Sequence, residues 1–95
     1  MNKQLFKAPQ YCLITFATTS YALKAERILK AAEADFIMIP TLREISSSCG
    51  LSIKFLPEQL DEYAAELEKG QVPIESVYNV QKIGQRNSVE KLELQ

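Results

Sequence analysis

The chain has 95 residues, 46% of them hydrophobic, which suits one small domain around a single core and leaves no room for a second. Its 11 basic and 12 acidic side chains give a net charge of −1, with neither sign in a long block, which argues against non-specific binding to nucleic acid or to an anionic membrane surface. Histidine and tryptophan are absent, and without an imidazole Ser-His-Asp hydrolysis, Cys-His nucleophile activation and His-based zinc sites all lose their support.

Residues 1–10 read as an N-terminal extension. Met1 to Lys7 lacks the apolar segment of a secretory signal, and no run approaches the ~20 apolar residues of a membrane span, so a cytoplasmic location is expected. Tyr11 to Ala17 is β-prone with apolar side chains on both faces, the pattern of a central strand. Thr18, Thr19 and Ser20 are N-cap candidates for a helix from about Tyr21 to Ala34, whose buried stripe is Ala22, Ala25, Ile28, Leu29 and Ala32. Phe36 to Ile39 is a second strand stopped by Pro40, and Thr41 to Gly50 is a polar loop. Leu51, Ile53 and Phe55 alternate with Ser52 and Lys54 in a half-buried third strand. Pro57 opens a second helix with Leu60, Tyr63, Ala64 and Leu67 buried and Gly70 as its stop. Ile74 to Val80 is a fourth strand, and residues 81–95 turn polar and read as a loose tail, with Val89, Leu92 and Leu94 able to dock on a partner.

Strand, helix, strand, strand, helix, strand is the split βαβ pattern, so the expected fold is α+β: a ferredoxin-like sandwich of a four-stranded antiparallel sheet with two helices on one face, over residues 11–80. Right-handed crossovers then put the first strand between the third and fourth, antiparallel to both.

The chemistry is expected in Ile45-Ser46-Ser47-Ser48-Cys49-Gly50-Leu51, where one thiol sits among hydroxyls and a glycine just before a strand. Amides freed by such a turn can converge on a sulfur anion, and Gly50 can supply a positive φ for that nest. The topology brings Cys49 to the N-terminus of the first helix, where the positive helix end and the amides around Thr19 and Ser20 would favour an anion, with Arg43 as an added charge. Arg43 has a plainer role open to it, as a solvated loop residue or a partner of Glu44. Cys12 shares parity with Ile14 and Phe16 and reads as a small core residue. It is expected about five strand residues, ~17 Å, from Cys49, too far for a disulfide, which needs Cα atoms within ~7 Å.

These residues resemble a known family. Ile14-Thr15-Phe16, Ala22-Leu23-Lys24-Ala25-Glu26 and above all Ile39-Pro40-Thr41-Leu42-Arg43-Glu44-Ile45-Ser46-Ser47-Ser48-Cys49-Gly50-Leu51 are similar to the selenium/sulfur carrier-like family of short bacterial and archaeal domains, with Leu42 standing where a second proline is expected. The resemblance implies a carrier, rather than a turnover enzyme, that holds sulfur or selenium as a persulfide or selenopersulfide on Cys49, with Arg43, Ser46, Ser47, Ser48 and Gly50 around it. It would exchange this cargo with donor and acceptor proteins and require no bound cofactor. Two other functions fit the residues: a non-catalytic interaction or regulatory module, binding another protein or a second copy of itself through an edge strand or the open sheet face bearing Tyr11, Leu13 and Thr15, and a small-anion site at the serine-rich loop and the helix N-terminus, with Cys49 incidental.

Overall fold

The computed structural model describes Leu5, residues 8–45, Ser47 and residues 49–93. Five strands among the described residues form one antiparallel sheet: β1 (Gln10–Thr15), β2 (Ile37–Pro40), β3 (Leu51–Phe55), β4 (Ser76–Ile83) and β5 (Arg86–Leu92), in the order β2-β3-β1-β4-β5. Two α-helices among the described residues, α1 (Thr19–Ala31) and α2 (Leu60–Lys69), pack against it, and α2 is entered through a 3₁₀ turn over Pro57–Gln59. Among the described residues no helix is long and apolar enough to cross a membrane.

β1 lies between β3 and β4 and runs antiparallel to both, with Ile14 opposite Ile53 on one side and Val77 on the other. This central place explains its unbroken apolar run, since both of its faces are covered and Leu13 and Ile14 are both 0% exposed. On the helix side Cys12, Ile14 and Phe16 pack with Ala22, Ala25 and Leu29 of α1, Tyr63 and Leu67 of α2, and Ile53, Phe55 and Val77 of the neighbouring strands. The Phe55 and Tyr63 rings meet edge to face, centroids 5.4 Å apart.

Both helices end in the same way. Glu33 (φ 58°) and Gln71 (φ 61°) take the left-handed conformation, and Ala34 and Val72 donate back to the carbonyls of Leu29 and Leu67 at 2.9 Å each. α1 therefore stops before the expected Ala34. Gly70 is the C-cap of α2 at φ −80°, so its small size matters for space rather than for backbone freedom: a Cβ there would collide with the Ile28 side chain of α1.

Two expectations need correction. The sheet has five strands, not four, because residues 81–92 are not a loose tail: β4 runs on to Ile83, and Gly84 (φ 63°) with Gln85 forms a two-residue turn that pairs Ile83 with Arg86 and starts β5. Val89 and Leu92 pack back onto the sheet, while Leu94 lies outside the described residues. The face away from the helices is also not open. Tyr11, Leu13 and Thr15 are on it, as strand parity requires, but all three are buried. The segment after β2 folds over this face and places Ile45 in a cluster with Tyr11, Leu13 and Val80, with Leu42 packed alongside. Lys54 covers the Tyr11 ring, its Nζ 4.2 Å from the centroid. That face of β1 is thus filled by the chain's own loop.

Candidate functional site

The loop 42–49 closes on a hydrogen-bonded base. Pro40 pairs with Leu51 at the end of the β2–β3 ladder, and Thr41 N–H extends it by donating to Gly50 O at 3.0 Å. The Thr41 hydroxyl donates to Cys49 O at 3.1 Å and lies 2.9 Å from the Ser52 hydroxyl, which gives the buried Ser52 a partner. Ile45 N–H closes a turn on Leu42 O at 3.0 Å. The loop straddles the end of the sheet: Ile45 is anchored on one face, and Cys49 returns to the other and joins the helix-side core.

Cys49 meets α1 at its first turn. Thr18 caps this helix, its Oγ1 accepting from Tyr21 N–H at 3.2 Å. Thr19, the first helical residue, has its hydroxyl 3.9 Å from Cys49 Sγ, with the thiol as donor. The sulfur also accepts the N–H of Leu51 at 3.4 Å. A hydroxyl can donate as readily as it accepts, so Thr19 and Leu51 N–H present two donors to a sulfur anion at the positive end of a helix.

Cys49 is 1% exposed, a finding at odds with the solvent-facing thiol that ready exchange calls for. It belongs to the helix-side core, and Ser47 bonds its backbone. Cys49 N–H donates to Ser47 Oγ at 3.3 Å, and the Ser47 hydroxyl donates to Glu75 Oε1 at 2.8 Å, with Phe16 O at 3.4 Å as a weaker alternative acceptor. Glu75 is itself fixed beside the end of β1, its N–H donating to Thr15 O at 3.0 Å.

Of the expected site residues, Cys49, Thr19 and Ser47 come together. Ser20 is exposed in the first turn of α1, and no hydrogen bond joins it to Cys49 among the described residues. Arg43 is exposed in the turn between Leu42 and Ile45, and no ion pair links it to Glu44 among the described residues. Gly50 does not take a positive φ, and a Cβ on it would meet nothing within 4 Å; among the described residues the backbone amide that meets the sulfur is that of Leu51. Ser46 and Ser48 lie outside the described residues. Thr41 and Glu75 were not anticipated. Thr41 carried a weak signal as a hydroxyl directly after the strand-ending Pro40, whereas Glu75 reaches the loop only through the pairing of β1 with β4.

Cys12 is free, as is Cys49. It faces Phe55 across the ladder, six positions along the chain from Cys49, or about 20 Å of extended strand. Burial pushes its thiol up from 9.0 to about 11, with the Glu58 carboxylate adding to the shift. Among the described residues no group of three or more His, Cys, Asp or Glu is arranged to hold a metal ion.

Residues 11–79, which run from the start of β1 into β4 and include the whole loop, match the family model described as "Putative Se/S carrier protein-like". No curated protein and no solved structure matches the chain.

Proposed function

The chain belongs to the Se/S carrier protein-like family, and from that premise we propose that Cys49 carries the cargo as a persulfide or selenopersulfide. The observation that supports this most is the place of its sulfur, between the Leu51 N–H at 3.4 Å and the Thr19 hydroxyl at 3.9 Å at the start of α1. In this reading the strands β2-β3-β1-β4 with both helices are the ferredoxin-like core that presents the thiol, and β5 is an added edge.

The loading step is a sulfur transfer with no net oxidation. The Cys49 thiolate attacks the outer sulfur of a donor persulfide, R–S–S⁻; a bond forms between Cys49 Sγ and that sulfur, the donor's S–S bond breaks, and R–S⁻ leaves with the electron pair. The new outer sulfur keeps the negative charge, one bond away from the Sγ that the Leu51 N–H and the Thr19 hydroxyl meet. Unloading is the same exchange on an acceptor's thiolate, and a selenium atom in the outer position follows the same course. Donor and acceptor are proteins or small thiols, and the exchange takes place in the cytoplasm.

The test uses a Cys12→Val background so that one thiol remains. The reduced protein is incubated with a small-molecule persulfide and its peptides are weighed. One added sulfur on the Cys49 peptide, removable by a reductant and absent in Cys49→Ser, is the expected result. An unmodified Cys49 under conditions that load a free cysteine peptide would discard the carrier reading and favour a binding module.

A further inference from the structure

We propose that Glu75 is a positioning residue for Cys49: acting through Ser47, its carboxylate tethers the thiol in its buried pose, and release of this tether opens the thiol to a sulfur donor. The proposal rests on the carrier reading for its purpose, but its geometry stands apart from it. A thiol that is 1% exposed cannot be approached along the line of a sulfur–sulfur bond, so exchange requires the covering residues to shift.

The bonds around Ser47 run in one direction. A hydroxyl has a single proton, and at 2.8 Å the Glu75 carboxylate is a much better acceptor for it than Phe16 O at 3.4 Å. With that proton committed, the lone pairs of Ser47 face the N–H of Cys49. The chain Cys49 N–H to Ser47 Oγ to Glu75 Oε1 thus ties the loop to the sheet beside the last residue of β1, where Glu75 is held by its own N–H. Thr41 fixes the carbonyl side of Cys49 from within the same β2–β3 connection. Ser47 to Glu75 is the side-chain bond, among the described residues, that joins this loop to β4's end of the sheet. Glu75 is exposed, so a docking partner can reach it, whereas Cys49 is not.

The experiment measures alkylation of Cys49 by iodoacetamide, an uncharged probe, in the full chain with Cys12→Val. Glu75→Ala is expected to speed labelling about five-fold, the weight of one net hydrogen bond. Glu75→Gln keeps an acceptor oxygen and is expected to stay within about two-fold of the parent. Ser47→Ala should match Glu75→Ala, and the double variant should be no faster than either, because both remove one shared tether. Equal rates in the parent and Glu75→Ala would overturn the proposal. So would equal acceleration by Ala and Gln, which would assign the effect to lost charge. Sulfur loading is scored on the same samples: faster labelling with no sulfur adduct in any variant retains the tether and removes the carrier reading, while loading with unchanged labelling rates does the reverse.

Discussion

Cys12 and Cys49 are equally hidden, each 1% exposed and each part of the same helix-side core, yet they are held by different kinds of structure. Cys12 sits in β1, where ladders to β3 and β4 grip the backbone on both sides, and its side chain is uncovered only by parting the helix layer from the sheet. Cys49 sits in a loop held by a few side-chain hydrogen bonds from Thr41 and Ser47 and by the Ile45 anchor. Exposure in the resting structure therefore does not rank the two thiols; the cost of uncovering each one does, and local opening of a loop is far cheaper than parting two packed layers.

The strongest way to break this contrast is to weaken the shared core. Ile14→Ala removes a fully buried side chain from the middle of β1 and is expected to cost about 2–5 kcal/mol, read from a denaturant midpoint. Both thiols should then label together through global unfolding; if Cys49 alone responds, β1 is not the common support. A second effect belongs to Cys12. Its thiol titrates higher in the folded protein, near 11, than the ordinary 9.0, so between these values the unfolded chain has lost a proton that the folded one keeps. Stability attributable to this group is intact below pH 9 and declines as the pH rises toward 11, by on the order of 2 kcal/mol. Melting curves across that range should fall less steeply for Cys12→Val than for the parent, and parallel curves would refute the assignment.

Thr41→Val sharpens the contrast from the other side. It removes the donor to Cys49 O and a partner of the buried Ser52, with an expected loss of about 1 kcal/mol. Cys49 should label several-fold faster while Cys12 stays protected, and hydrogen exchange should rise only around the loop. The smallest effect is expected at Gly50, where φ is not positive and a Cβ meets open space. Gly50→Ala should change stability by less than about 0.5 kcal/mol, and a larger loss would mean that the loop needs glycine's freedom after all.

Periodicity was enough to place β1 and both helices, because each reports burial through residues a few positions apart, but it marked β3 as half-buried where Ser52 on the second face is fully buried, and it put Ala32 in the buried stripe of α1 where it is exposed. It also located Cys49 near the start of α1, since that follows from the order of the strands once β1 is central. β5 was obscured because it is an edge strand that buries only one apolar residue on each face, Val89 and Leu92, among the polar Arg86, Ser88, Glu90 and Lys91. The Gly84-Gln85 turn was the available sign of a hairpin. The burial of Cys49, the Ile45 anchor and the Glu75 contact depend on where a loop falls in space, and no local pattern encodes that. Leu42, the departure from the family's expected proline, finds its use there as well, packed beside Ile45.

The straddling loop has a mechanical consequence. Because Ile45 packs on one face of the sheet and Cys49 on the other, with Thr41 bonded to Cys49 O and Gly50 O at the base, one short stretch of chain has a seat in both layers of the domain. A substitution among Tyr11, Leu13 or Val80, which loosens the seat of Ile45 on the far side of the sheet, is therefore expected to change how often the sulfur is reached from outside.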